Sequence, residues 1–135
     1  MAYYPLVSDR LDAGAALIEA LGRLGFPVPL AFWGWDDEEG RWSLYLVSPR
    51  VDEDGPNASY RVVGDAIKSI GGVGIDPLDV HLLETSSPIV PEVIRFQSGH
   101  GMMTSFGARE VGGVRFDRAE VYPSTRGATS APDQP

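Results

Sequence analysis

The sequence contains two histidines and no cysteine. The absence of cysteine excludes disulfides and thiolate metal sites. His100 lies in Ser98-Gly99-His100-Gly101. That pattern places a ring of near-neutral pKa on a loop that other molecules can approach closely. A hydrolytic relay would use Ser98 or Ser105 as nucleophile, His100 as base and a carboxylate behind the ring. No spacing in the chain singles out that carboxylate. We therefore assign no catalytic residue, and His100 stands as a weak functional candidate beside the plainer expectation of a turn residue. His81 alternates with Val80 and Leu82, as a half-buried or surface residue of a short strand would. The two histidines share no helix face and have no zinc-ligand spacing. Asp36-Asp37-Glu38-Glu39 has the charge to gather calcium or magnesium, but carboxylates at a hairpin tip point apart more often than they converge. Gly71-Gly72-Val73-Gly74 follows a helix instead of opening one, so it is no phosphate loop. The expectation is no metal and no cofactor.

The acidic run sits inside the stretch around which the chain is organised, VPLAFWGWDDEEGRWSLYLVS, residues 28 to 48. It reads as two strands over a tight turn. Leu30, Phe32 and Gly34 share one face of the first strand, and Ala31, Trp33 and Trp35 share the other. In the second strand Trp42, Leu44 and Leu46 alternate with Ser43, Tyr45 and Val47. Gly40 is the residue expected to take a positive φ and close the turn. Both faces are too apolar for simple solvation, so one should meet helices and the other needs a second layer or a partner. Trp33, Trp35 and Trp42 fit core packing, a protein interface or a ligand wall.

The flanking elements follow from periodicity and punctuation. Ser8 or Asp9 caps a helix to about Leu24, which Gly25 and Pro27 terminate. Residues 50 to 56 read as a loop, with a second helix starting at Gly55-Pro56 and the acids Asp52, Glu53 and Asp54 at its positive end. Tyr60, Val63, Ile67 and Ile70 continue it to Gly71-Gly72. Residues 80 to 85 form a short strand, and a short helix from Pro88 or Pro91 ends near Gln97. A second hairpin runs from Met102 to Tyr122, turning at Val111-Gly112-Gly113. Its last strand changes apolar phase between Phe116 and Ala119, which suggests a bulge near Asp117-Arg118. The order is helix, strand, strand, helix, strand, short helix, strand, strand. It predicts an α+β domain over residues 1 to 123, an antiparallel or mixed sheet with helices mainly on one face. Residues 124 to 135 read as a tail, disordered or ordered by a partner.

Two likenesses bear on this layout. Its opening helix and acidic-tipped hairpin resemble small sensor domains of the GAF or profilin-like type in topology. Gly25-Phe26-Pro27-Val28, Trp33, the turn from Glu38 to Trp42, Ser48-Pro49, Val51-Asp52, Gly55-Pro56 and Tyr60 resemble a group of small bacterial proteins without known activity, over the first half of the chain. The second resemblance implies bacterial origin and an α+β fold, and no activity.

The formal net charge is −8 over 135 residues. That sign opposes a nucleic-acid backbone or an anionic membrane as partner. Residues 1 to 88 carry six basic and fourteen acidic side chains, and residues 89 to 127 carry five and four. MAYYPLVSDR lacks the basic region and apolar run of a secretory leader. The expectation is a cytoplasmic, non-enzymatic protein-binding module, a small subunit that docks on another protein or on itself. The expected interface is Phe32, Trp33, Trp35, Trp42 and Tyr45, with Arg109, Arg115 and Arg118 facing an acidic patch. A small-molecule sensor and a hydrolase using His100 are the alternatives.

Overall fold

A computed structural model describes Leu6 and residues 8 to 71, 74 to 97, 99 and 101 to 124. His100 and Ser98 lie outside the described residues, as does the tail from residue 125. The chain is α+β, and the described residues form three helices, a mixed five-stranded sheet and a small two-stranded ribbon. Helix α1 spans Ser8–Arg23. Gly25, at φ 78°, ends it. The Phe26 N–H donates back to the Leu21 carbonyl at 2.8 Å and the Gly25 N–H to that of Gly22 at 3.1 Å, the paired bonds of a Schellman cap. Strands β1 (Leu30–Asp36) and β2 (Arg41–Val47) pair antiparallel, from Leu30 opposite Val47 to Asp36 opposite Arg41. Gly40 has φ 65°, and its N–H reaches the Asp36 carbonyl at 2.7 Å. A Cβ there would meet nothing within 4 Å. Gly40→Val therefore costs only conformational strain, about 1 kcal/mol. Urea denaturation of the two proteins measures it.

Helix α2 begins earlier than the sequence suggested. It spans Pro49–Ser69 without an intervening loop. Ser48 is the N-cap: its Oγ accepts the Arg50 N–H at 3.1 Å, and Pro49 needs no donor at the first position. Gly55, at φ 85° and ψ 165°, breaks the helical path just before Pro56. The missing Pro56 donor and the turn expected at Gly55-Pro56 are thus absorbed as a kink inside one element. Asp52 lies in the first turn, where the helix dipole favours it, but it also ties α2 to the sheet edge. Its carboxylate accepts the Thr85 N–H and hydroxyl, both at 2.9 Å, and the backbone bond above all holds its pKa below the usual value.

After a 3₁₀ turn at Pro77–Asp79, strand β3 (Val80–Leu83) pairs parallel to β2, with α2 as the crossover. A short helix α3 (Val90–Val93) leads through a second 3₁₀ turn to β4 (Thr104–Phe106). Strands β5 (Arg109–Val111) and β6 (Val114–Phe116) form the ribbon, and β7 is Arg118–Val121. The main sheet has the order β3-β2-β1-β7-β4. No helix among the described residues is long and apolar enough to cross a membrane.

The second hairpin departs from the expected bulge. Phe106 stands opposite Ala119 in the main sheet, and Arg109 opposite Phe116 in the ribbon. Two residues separate these pairs on each strand, so register continues and no residue is inserted. Pairing lapses at 107 and 108 against 117 and 118, and the ribbon bends out of the sheet. That bend explains the change of apolar phase, since Phe116 and Ala119 both enter one core. Beneath β1, Trp33, Trp35, Trp42, Leu44 and Leu46 pack against α1 and α2. Above it, Leu30, Phe32 and Val47 pack against Ile89, Val93, Phe106, Val111, Phe116 and Val121. The second layer that the apolar hairpin requires comes from the chain itself.

Candidate functional site

Folding the ribbon over the sheet leaves a pocket of about 250 Å³ beside the acidic hairpin tip. Gly34 and Asp36 of β1, Arg41, Ser43 and Tyr45 of β2, and His81 of β3 form its floor, with Glu39 from the turn and Val114, Arg115 and Phe116 from the ribbon as its roof. Gly34 makes the roof possible. A Cβ at that position would lie 2.6 Å from Cδ1 and Cε1 of Phe116, well inside carbon–carbon contact distance.

The aromatic wall follows from strand register. Phe32, Tyr45 and His81 occupy adjacent positions across three strands. Their rings stack in sequence, with centroids 4.9 Å apart for Phe32 and Tyr45 and 5.0 Å for Tyr45 and His81. Phe116 meets Phe32 and Tyr45 edge-on, at 5.5 and 5.3 Å. Both geometries are those that aromatic quadrupoles favour. Among the described residues β3 is an edge strand, and no further strand lies beyond His81.

Charge in the pocket is unevenly committed. Arg41 pairs with the buried Asp79, and Arg115 pairs with Asp117 at 3.2 Å. Asp117 also accepts the Asp37 N–H at 2.8 Å and so anchors the hairpin tip to the ribbon bend. The Asp36 carboxylate accepts the Glu38 N–H at 2.8 Å. Among the described residues neither Asp36 nor Glu39 is in a salt bridge. The resulting field is felt nearby. Burial, and then the carboxylates of Asp36 and Glu39, push the Tyr45 phenol above its usual pKa. Partial burial holds the His81 imidazole below its usual value; the Arg41 guanidinium acts in the same sense, and Asp79 and Glu39 oppose it. His81 is thus a neutral group at pH 7.

The residues expected at an interface separate into two sets. Phe32, Trp33, Trp35 and Trp42 are at most 3 % exposed within a single chain. Their side chains are packed in the two cores. Tyr45 and Arg115 line the pocket. Arg109 lies elsewhere, with its guanidinium 5.0 Å from the Phe96 ring centroid and 5.8 Å from that of Phe106. Arg118 stands opposite Trp35 in the β1–β7 register and is exposed.

Sequence reasoning missed His81, Ser43, Val114 and Phe116 as pocket residues, and Asp79 as the partner of Arg41. A signal for His81 was present: it shares register with Tyr45 once β3 is taken as parallel to β2. No such signal announced the ribbon roof. Among the described residues no group of three or more acidic or histidine side chains is placed to hold a metal ion. Comparison with protein-family models, with curated proteins and with solved structures yields no match.

Proposed function

We propose that the chain is a non-enzymatic binding module that docks on another protein through the pocket at its hairpin tip. The observation that carries this reading is the pocket itself: an open recess lined by three aromatic rings and four charged side chains from the hairpin, β3 and the ribbon. At about 250 Å³ it falls just below the roughly 300 Å³ at which pockets for drug-sized ligands begin. It suits a single side chain of a partner better than a whole cofactor. Among the described residues no hydrogen bond joins the Ser43 hydroxyl to His81, whose ring stacks on Tyr45. A bacterial, cytoplasmic subunit remains part of this proposal on the strength of the sequence.

The recess also favours one other reading, a small-molecule sensor, because three aromatic rings converge there. Site-specific photo-crosslinking separates the two. Val114 is 40 % exposed on the pocket rim, and Ser105 is exposed on the opposite sheet edge. A photoreactive residue at Val114, introduced in the native host, is expected to yield a protein conjugate that the same residue at Ser105 does not. Conjugates at Ser105 alone, or at neither position, would remove the protein-docking reading. A conjugate with a second copy of this chain would identify self-association as the docking event.

A further inference from the structure

The charge pattern of the pocket narrows its occupant, on the premise that the pocket is the docking site. We propose that it receives the guanidinium group of an arginine side chain carried by the partner. Two arginines already line it, and both are neutralised by carboxylates, Arg41 by Asp79 and Arg115 by Asp117. An anion entering the pocket would meet guanidinium groups whose charge a carboxylate already balances. An entering cation would meet Asp36 and Glu39, neither of them in a salt bridge among the described residues. The surrounding tip adds Asp37 and Glu38 and strengthens the same field, so association is faster at low salt.

Shape distinguishes arginine from lysine. The wall is planar: Tyr45 and His81 are stacked rings, and among the described residues no further strand lies beyond His81. A guanidinium is planar, weakly hydrated and stacks on such faces, whereas an ammonium is a compact and strongly hydrated point charge. Its fork of N–H donors also matches a carboxylate in bidentate fashion, as either Asp36 or Glu39 could accept it. Neutral His81 contributes a ring face without an opposing charge. The apolar stem of the arginine would lie along Val114 and Phe116 on the ribbon side.

The experiment is an amide-resolved NMR titration of the full chain with four probes: N-acetyl-arginine methylamide, its lysine counterpart, its citrulline counterpart and inorganic phosphate. Citrulline keeps the planar shape and loses the charge. The expected result is saturable shifts at Asp36, Glu39, Ser43 and His81 with the arginine probe, at a dissociation constant on the order of millimolar. Lysine and citrulline then bind at least several-fold more weakly, and phosphate leaves these amides unmoved. Glu39→Gln, at an exposed turn position, is expected to weaken the arginine probe several-fold with an unchanged melting curve. Equal binding of citrulline or lysine, shifts at these amides with phosphate, or no response to arginine would each overturn the proposal. So would Glu39→Gln binding arginine as the parent does. A Val114 conjugate combined with no response to arginine would overturn this inference alone. Arginine binding without any Val114 conjugate would instead overturn the docking reading.

Discussion

Trp33→Ala lowers the unfolding free energy by about 3 to 5 kcal/mol, the range for emptying a large buried aromatic site. Trp33 is 1 % exposed, and its indole N–H donates to the Tyr122 hydroxyl at 3.0 Å. That hydroxyl in turn donates to the Leu11 carbonyl at 2.7 Å. The relay fastens β1, the end of β7 and helix α1 to one another. It depends on a glycine, because a Cβ at Gly14 would lie 2.1 Å from the Tyr122 oxygen. Removing the indole therefore opens a cavity and also takes a donor away from a buried phenol. Urea denaturation measures the loss. Trp33→Phe, which keeps a ring and loses the N–H, falls between the parent and Trp33→Ala. The same relay predicts a pH dependence. Burial is the main cause that raises the Tyr122 pKa from 10.0 to about 12; the Trp33 bond opposes it and Asp12 adds to it. The folded state thus holds this proton more tightly than the unfolded state. Its contribution is fully present below pH 10 and fades as pH rises toward about 12. Tyr122→Phe has no proton to lose, so its stability falls less steeply than the parent's across that window.

Gly34→Val has the second large expected effect, on stability and on the shape of the pocket. The new Cβ would meet Phe116 at 2.6 Å and Cε1 of Tyr45 at 3.2 Å. Phe116 is 2 % exposed and wedged against Phe32 and Tyr45, so its ring cannot swing clear. Overpacking of this kind costs about 1 to 3 kcal/mol, with displacement of the ribbon as the structural consequence. Gly34, Tyr45 and Phe116 all line the pocket, so the proposed docking is expected to be lost together with the roof. Gly40→Val provides the contrast, with strain but no clash and the pocket intact. A double-mutant cycle with Phe116→Ala checks the cause. The Gly34→Val penalty shrinks when Phe116 is already truncated, because the two residues collide directly. Additive penalties would place the damage somewhere else. Denaturation curves of the four proteins decide.

Local rules made much of this fold legible. The helix from Ser8, its stop at Gly25, the two strands around Trp33 and Trp42, and the positive φ of Gly40 follow from periodicity and turn chemistry that act within a few residues. The start of α2 was misread for a local reason as well. Gly55-Pro56 is a strong start signal, but Ser48-Pro49 supplies an equally good cap seven positions earlier, and a glycine kink lets both signals coexist. The need for a second layer over Phe32 and Val47 was also legible, because two-sided apolar strands must be covered. The identity of that layer was not. It depends on a bend at residues 107 and 108 that carries Phe116 across to Gly34, a contact between residues far apart in sequence. The candidate site inherits that opacity. Tyr45 and Arg115 were singled out for an interface, but the recess that joins them to His81, Asp36 and Glu39 exists only after the ribbon has folded over.

The pocket depends on that contact between the ribbon and the sheet, and an isotope-edited NOE spectrum of the full chain tests it directly. With the Phe116 ring over Gly34, both α-protons of Gly34 give strong cross-peaks to the ring protons and are displaced by its ring current. A spectrum with neither the cross-peaks nor the displacement would leave the second face of the sheet without its roof and the pocket without a wall, contradicting the account.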